Sequence, residues 1–382
     1  MMLRPSISYP PSLIFAGAFL IASAESARSA SFDLIWDFGG EVTYTEPNAI
    51  SADGSTVVGE LRTSAGQEAF VWDRERGLRG IGDLPGGSVF SIAENVSGDG
   101  SVVAGNTNSA SGSVAFIWDE DRGMRELDPL PEGFVTTIVG GISDDGSTVV
   151  GTMYSEDGRR SDAYFWNETA GYRSIATLPD GTVTYGGATD TNRDGSVIVG
   201  GAEGQAFVWT EDDGMILLGD LLTPPRRPNS VALAVSQDGS VVVGPASGPS
   251  PFIWDADQGL RALYSSALPP EIFSFRPSGA SGDASVVVGG SFTPTGNEAT
   301  IWTQAGGLQF LRVVLATMGV DLDGWSLLSA TDVSADGRTI VGFASKQGFA
   351  SRGYIVVIPE PGTGVLVMIG LAILATAQRH AN

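Results

Sequence analysis

Short runs of β-branched residues alternate with turn residues along almost the whole chain, and this pattern predicts strands rather than helices. Each run begins just after an Asp-Gly pair and ends in glycine, as in SVVAG at 101–105. Asp-Gly before such a run is a strong hairpin signal, because glycine adopts the positive φ that a tight turn requires. The pair recurs at Asp53-Gly54, Asp99-Gly100, Asp145-Gly146, Asp194-Gly195, Asp238-Gly239 and Asp336-Gly337. A further copy has Asp283-Ala284 instead, for which we expect a wider turn or a strain of about 1 kcal/mol.

An aromatic strand of the form AFVW or AFIW follows each β-branched run. Its Phe and Trp are two residues apart and share one face, while Ala and Val or Ile share the other. Both faces are apolar, so the strand must be covered on both sides. Six copies end on a tryptophan: Trp72, Trp118, Trp166, Trp209, Trp254 and Trp302. We interpret these tryptophans as core residues, with stacking on a sugar ring as the alternative.

The turn aspartates mark a repeat, because successive copies lie 44 to 53 residues apart. Proline and glycine turns such as LPGG at 84–87 follow the aromatic strand, so each copy contains four short strands. A repeat of this length, whose single copy cannot bury its own faces, is typical of a β-propeller. The sequence therefore predicts an all-β fold, a seven-bladed β-propeller with four-stranded blades, over residues 31–358.

The two ends of the array predict how the ring closes. The last repeat lacks a fourth strand before residue 358, whereas SFDLIWD at 31–37 precedes the first full repeat without a partner. We expect this N-terminal strand to complete the last blade, because the pairing removes an open sheet edge.

The N-terminus has the features of an export signal. An apolar segment from Leu13 to Ala22 follows Arg4, and Ala22-Ser23-Ala24 has the small residues of a signal cleavage site. We predict a signal peptide over residues 1–24, and cleavage after Ala30 is the alternative.

The C-terminus combines a short motif with an apolar segment. Pro359, Glu360 and Pro361 precede the uncharged segment 362–377, and Arg379 provides a basic tip. This arrangement closely resembles the PEP-CTERM sorting signal of Gram-negative bacteria. The resemblance implies a short transmembrane helix, transient anchoring, and cleavage by an exosortase during delivery to the cell surface. The segment is shorter than the roughly 20 residues of a permanent span, and an ordinary C-terminal anchor is the alternative.

The aromatic strands also resemble those of the HAF family of extracellular repeats. The matching segments include EAFVW at 68–72, VAFIW at 114–118 and QAFVW at 205–209. The histidine of the family name is absent from these copies, and no activity follows from the resemblance.

Composition excludes several classes of function. The chain has 44 acidic and 21 basic residues and a net charge of −23, which argues against nucleic acid or an anionic membrane surface as a partner. Cysteine is absent and the single histidine is His380, so Ser-His-Asp and Cys-His nucleophiles and zinc sites that need these ligands are excluded. We predict that the protein is not an enzyme. Catalysis by paired carboxylates is the alternative.

One loop matches the first half of a calcium-binding loop. Asp190, Asn192 and Asp194 fit the pattern D-x-N-x-D-G, although Gly201 stands where an EF-hand has its bidentate glutamate. We predict no cofactor other than calcium at this loop, and an ordinary hairpin turn is the alternative. Outside the repeat, Trp325 is the better candidate for an exposed aromatic residue.

These features together predict an exported, non-catalytic propeller at the cell surface or in the extracellular biofilm matrix. Its expected role is binding or structural and is linked to exopolysaccharide. The alternatives are a lectin-like glycan-binding module and a carboxylate-based carbohydrate-active enzyme. The expected partners are the Sec export machinery, an exosortase and extracellular polysaccharide, and no nucleic acid.

Overall fold

The regular structure of the described residues is almost entirely antiparallel β-sheet. The computed structural model describes residues 29–36, 42–110, 112–221, 229–247, 250–264 and 268–359. Their strands form five four-stranded sheets and one eight-stranded sheet, in which a single parallel bridge from Gln67 to Phe90 joins two four-stranded halves. We number the resulting four-stranded groups as units I to VII. The predicted all-β fold of four-stranded sheets is confirmed.

The strands follow one another in chain order within each unit. The first strand of the chain, β1 (Ser31–Ile35), belongs to unit VII. Unit I contains β2 (Tyr44–Ile50), β3 (Thr56–Arg62), β4 (Gln67–Asp73) and β5 (Gly77–Gly80). Unit II contains β6 (Gly86–Val96), β7 (Val102–Ser109), β8 (Gly112–Asp119) and β9 (Gly123–Glu126). Unit III contains β10 (Phe134–Ile142), β11 (Val149–Ser155), β12 (Ser161–Asn167) and β13 (Gly171–Ser174).

The second half of the chain repeats this order. Unit IV contains β14 (Gly186–Thr191), β15 (Val197–Ala202), β16 (Gln205–Thr210) and β17 (Gly214–Gly219). Unit V contains β18 (Ala234–Val235), β19 (Val241–Gly244), β20 (Phe252–Asp255) and β21 (Gly259–Ala262). Unit VI contains β22 (Ser274–Ala280), β23 (Val286–Thr293), β24 (Gly296–Thr303) and β25 (Gly307–Phe310). Unit VII contains β26 (Ser326–Val333), β27 (Thr339–Ser345) and β28 (Arg352–Val357), together with β1.

The core lies between units rather than within them. The middle of strand β4 is buried on both faces, as expected from apolar residues on each face. In unit II, Phe116 packs with Val58 and Ala69 of unit I in one cluster of buried side chains. Within the described residues, such a cluster lies at each of the seven junctions, including the junction of unit VII with unit I. Each sheet therefore depends on both neighbours for its burial.

The turn after each first strand is wider than a two-residue hairpin and has a fixed set of hydrogen bonds. The Ser51 hydroxyl donates to Asp53 Oδ1 (2.6 Å) and accepts from the Thr56 amide (3.0 Å). Asp53 Oδ1 also accepts from the Ser55 amide, and Gly54 has a φ of +71°. The positive φ predicted for glycine is thus present, and the motif is Ser-x-Asp-Gly in five of the seven turns.

Ala284 adopts the same conformation as the glycines. Its φ is +54°, and the Ser281 hydroxyl still donates to Asp283 while Ser285 and Val286 make the usual amide bonds. The turn is not wider there. The expected strain therefore applies to this copy, because a non-glycine residue occupies the left-handed region.

The predicted pairing of the N-terminal strand with the last repeat is confirmed. Strand β1 lies antiparallel to β28, with Ser31 opposite Val357 and Ile35 opposite Gly353. On the other side of unit VII, the Gly353 amide donates to Thr45 Oγ1 of unit I (2.8 Å). The first and last parts of the chain therefore close one ring.

A circle of backbone hydrogen bonds joins the turns around the ring axis. Each bond runs from an amide to a carbonyl oxygen of a neighbouring unit, at 2.8 to 3.3 Å. The bonds are Asp53 to Gly98, Gly98 to Asp144, Asp145 to Arg193, Arg193 to Gln237, Gln237 to Gly282, Gly282 to Ala335, and Ala335 to Ala52. The circle fixes the units relative to one another at this end of the axis.

One short helix interrupts the strand pattern, which the sequence did not predict. Helix α1 (Leu311–Thr317) connects unit VI to unit VII and buries Leu311 and Leu315, which are four residues apart and share one helix face. Among the described residues, no helix is long and apolar enough to cross a membrane. The predicted signal peptide, with Ala22 and Ala24, and the apolar segment 362–377 lie outside the described residues.

Candidate functional site

The ring encloses a channel of about 460 Å³ along its axis, lined mainly by the first strand of each unit. In six of these strands a β-bulge shifts the register beside the channel. The shifts follow Pro47, Ala93, Val139, Ala188, Pro277 and Ala330. A bulge bends a strand and re-aims its side chains. The bulges therefore decide which polar groups face the channel or the next unit.

Two aspartates at equivalent repeat positions link neighbouring units inside the channel. Asp190 Oδ2 accepts from the Val235 amide of unit V (2.9 Å), and Oδ1 accepts from its own neighbour, Thr191 (2.8 Å). Asp332 Oδ2 accepts from the Ile50 amide of unit I (2.9 Å), and Oδ1 accepts from Val333 (2.8 Å). Each carboxylate thus bonds to two backbone amides.

Both carboxylates hold their protons more tightly than an exposed aspartate. Burial raises the pKa of Asp190 to about 7, against the lowering effect of its amide donors, and the charges of Asp332 and Asp144 add to the rise. Burial likewise raises the pKa of Asp332 to about 7, against the amides of Ile50 and Val333. The channel is therefore a site where charge changes near neutral pH.

The remaining charged residues of the channel are partly compensated. Burial raises the pKa of Glu94, which accepts from Asn106 Nδ2 at 2.9 Å. Burial also raises the pKa of Asp144, which accepts from Gln237 (2.6 Å) and lies 3.9 Å from Arg193.

The three residues of the predicted calcium loop have separate structural partners. Asp190 bonds to unit V as described. Asn192 stands where other copies have serine, and its Oδ1 accepts from the Val197 amide at 2.9 Å. Asp194 accepts from the amide and hydroxyl of Ser196, as Asp99 and Asp238 accept from Ser101 and Ser240. Among the described residues, no group of three acidic or histidine side chains is arranged for a metal ion. This geometry is that of an ordinary hairpin turn, the alternative given above, and calcium binding stays a prediction.

One end of the ring carries the seven turns, and we call it the turn face. It is acidic, with Asp53, Asp99, Asp145, Asp194, Asp238, Asp283 and Asp336 in its turns. Hydrogen bonds from the hydroxyls of Ser236 and Ser240 lower the pKa of Asp238 to about 2. Strand β1 begins at this face and β28 ends there, since the Ile358 amide donates to Arg338 O just after a turn glycine. The first and the last described strands therefore begin and end, respectively, at the turn face.

The opposite end carries exposed aromatic side chains, and we call it the aromatic face. The rings of Phe273 and Phe292, each 57% exposed, lie 6.3 Å apart at 44° in unit VI. In unit VII, Phe349 is 60% exposed and lies 5.9 Å from the half-buried Trp325 at 46°. Tyr185 of unit IV is also exposed at this end. The aromatic face thus presents two similar pairs of tilted rings on adjacent units.

The six tryptophans of the repeat lie against the inter-unit clusters. Trp166 and Trp302 are buried, and the other four, Trp72, Trp118, Trp209 and Trp254, are half-buried and packed on the cluster at their junction. Trp36 lies outside this register, and the guanidinium of Arg352 sits 3.2 Å from its ring centre.

The sequence interpretation missed a motif in the outer hairpin. Asp73 follows the repeat tryptophan and accepts from the amide of Arg76 (2.7 Å) and from the guanidinium of Arg79 (2.9 Å). Arg76 and Arg79 also pair with Glu120 of unit II. The signal was available as W-D-x-x-x-G-x-R, which recurs after Trp118 and Trp254. The hydrogen bonds of this motif cap the hairpin, and its ion pairs link neighbouring units on the outside of the ring.

Of the predicted sorting motif, Pro359 is the last described residue. Glu360, Pro361 and Arg379 lie outside the described residues.

Comparison with known proteins supports the fold and leaves the function open. No protein-family model matches the sequence, and a search of curated proteins finds no match. The β-propeller domain of the Trilobed protease from Pyrococcus furiosus is similar at 11% identity, with a TM-score of 0.54 over 82% of this chain and 95% of that one. An oligogalacturonate lyase from Vibrio parahaemolyticus is similar at 11% identity, with a TM-score of 0.54 over 87% and 98% of the two chains.

A third structure, TolB from Acinetobacter baumannii, is 15% identical with a TM-score of 0.44. The match covers 68% of this chain and 63% of TolB, which is less than two thirds of that protein. At these identities the first two structures show the fold alone, which is that of a β-propeller.

Proposed function

We propose that the chain is an exported, seven-bladed β-propeller that binds extracellular polysaccharide without catalysis, at the bacterial cell surface or in the biofilm matrix. Each of units I to VII is one blade of the ring. The observation that carries this proposal is the aromatic face, where paired rings stand exposed on a rigid ring, on the side opposite the start of β1 and the end of β28.

The position of the chain ends supports a role as a displayed binding module. If the PEP-CTERM-like tail anchors the protein before an exosortase cleaves it, the turn face points towards the membrane. The aromatic face then points away from the membrane. The Sec machinery and the exosortase act on segments beyond residues 31–358, so export and sorting do not require the aromatic face.

Aromatic rings suit a polysaccharide because the apolar face of a sugar ring stacks on them, and rings on a rigid scaffold lose little entropy on binding. Two similar ring pairs on neighbouring blades match a ligand that repeats along its length. A carboxylate-based carbohydrate-active enzyme is the less favoured reading, because Asp190 and Asp332 in the channel each already bond to two backbone amides.

Replacement of exposed rings should weaken polysaccharide binding. We expect the purified protein to be retarded in a native gel that contains exopolysaccharide from the producing bacterium. Phe273→Ala with Phe292→Ala should weaken this binding about tenfold, as loss of an interface hot spot does. The melting temperature should change little, because exposed side chains contribute little to stability.

Ile216→Ala is the matched control, because Ile216 is 47% exposed but lies on the outer strand β17, away from the aromatic face. Its affinity should equal that of the wild-type protein. Absence of retardation for the wild-type protein would reject polysaccharide binding. Retardation that survives both phenylalanine changes would place the site elsewhere on the ring.

A further inference from the structure

The channel carboxylates hold two junctions of the ring together. Asp190 links unit IV to unit V, and Asp332 links unit VII to unit I, where the first and last parts of the chain meet. Small neighbours leave room for both side chains. A Cβ on Gly279 would lie 2.5 Å from Asp332 Oδ1, and one on Gly141 would lie 3.3 Å from Asp190 Oδ1.

We propose that Asp190 and Asp332 are clasps between units that respond to protons. The folded ring is then more stable in mildly acidic medium and less stable in alkaline medium. An extracellular protein meets such changes directly, and this property does not depend on which ligand the protein binds.

Among the described residues that line the channel, no cation pairs with either clasp. The other charged side chains that line the channel are Glu94, Asp144 and Arg193. Arg193 already lies beside Asp144, and Glu94 is a third acid. Ionisation of both clasps therefore puts two negative charges into a partly buried, already acidic channel, which destabilises the folded ring.

The direction of the pH dependence follows from proton binding. The folded protein binds these protons up to about pH 7, whereas an unfolded aspartate releases them near pH 4. Stability contributed by the two protons is present in acid and is lost as the pH rises from about 4 through 7. Six aspartates of the turn face have a lowered pKa and act in the opposite sense, because their ionised form stabilises the fold above about pH 4: Asp53, Asp99, Asp145, Asp194, Asp238 and Asp283.

Thermal unfolding of the full protein at pH 5 and pH 8 tests the clasps. Because both side chains are only partly buried, we expect the unfolding equilibrium constant to rise on the order of 100-fold for the pair over this interval. This corresponds to a melting temperature about 5 °C lower at pH 8. The double variant Asp190→Asn, Asp332→Asn should lose this difference. Asn95 at the equivalent position of unit II shows that asparagine fits, with its Oδ1 accepting from Val96 at 2.8 Å.

The readout is the difference between the two pH values, since asparagine loses one amide bond at every pH. Asp99→Asn is the matched control: burial is slight and Ser101 lowers the pKa of Asp99, so this variant should keep the wild-type difference. The same melting temperature for the wild-type protein at both pH values, or a double variant that keeps the difference, would overturn the proposal.

Discussion

Removal of residues 31–35 is expected to lower the melting temperature by about 5 °C or more and to make the protein self-associate. Strand β1 buries Ile35 completely, and Phe32 and Leu34 pack against the cluster at unit VII. Burial of such a side chain contributes about 1.5 to 3 kcal/mol, so the strand contributes several kcal/mol. For a domain of this size, 1 kcal/mol corresponds to about 1.5 °C. The deletion also leaves β28 as an open sheet edge, which favours pairing with a second molecule.

Asp33→Ala is the control within the same strand. Asp33 is exposed and makes one surface ion pair, with Arg74 at 3.5 Å, so the change should shift the melting temperature by no more than about 1 °C. Differential scanning calorimetry and light scattering report the two effects. A deletion variant that melts like the wild-type protein and stays monomeric would show that β1 is not part of the closed ring.

Gly289→Ala should prevent folding or cost more than about 3 kcal/mol of unfolding free energy. A Cβ at this position would lie 2.0 Å from the carbonyl oxygen of Arg276 and 2.9 Å from Pro277 Cα, so the backbone of β22 would have to move. Overpacking of a tight interior costs about 1 to 3 kcal/mol even where side chains can adjust. The cost is higher here because the backbone adjusts less readily than side chains. The equivalent glycines are equally crowded, which explains why each β-branched run ends in glycine.

The adjacent glycine supplies the control. A Cβ on Gly290 would meet only the Ser329 side chain, with Oγ at 3.2 Å, so Gly290→Ala should change the unfolding free energy by less than about 1 kcal/mol. Urea denaturation of both variants measures the difference. Similar midpoints for the two variants would contradict a steric requirement at position 289.

Most of the fold could be predicted from sequence because its signals are local and repeated. The Asp-Gly turns, the β-branched runs and the aromatic strands each specify a strand or a turn within a few residues, and the repeat multiplies a weak signal. The pairing of β1 with β28 could be predicted by elimination, since each end of the array lacked a partner. Helix α1 was missed because only Leu311 and Leu315 mark its buried face.

The channel could not be predicted, because it depends on contacts between units. A β-bulge leaves no reliable mark in the sequence, yet it decides that Asp190 reaches Val235 of the next unit. Aligning the repeats on their turn aspartates would have shown an acid four residues earlier in two copies, Asp190 and Asp332. Without the neighbouring strand, the acid at position 190 matches the first position of a calcium loop.

The aromatic face was only partly foreseen. Trp325 was recognised as a candidate because it lies outside the repeat, but it is half-buried against Phe349, and the most exposed rings are phenylalanines. Phe273 and Phe292 come together across β22 and β23, and their exposure depends on which end of the ring each strand reaches. Sequence periodicity gives the face of a strand but not its surroundings in the ring.

A disulfide between the first and last described strands tests most directly whether the chain closes on itself. The protein has no cysteine, so Ser31→Cys with Val357→Cys introduces a single pair, and these residues face each other across β1 and β28. Opposed residues of antiparallel strands have Cα atoms about 4.5 to 5.5 Å apart, which suits a disulfide. Mild oxidation should yield a monomer that is about 2 Da lighter, without free thiols and with a higher melting temperature. Free thiols in the folded monomer, or disulfide-linked dimers in place of it, would contradict the closed ring.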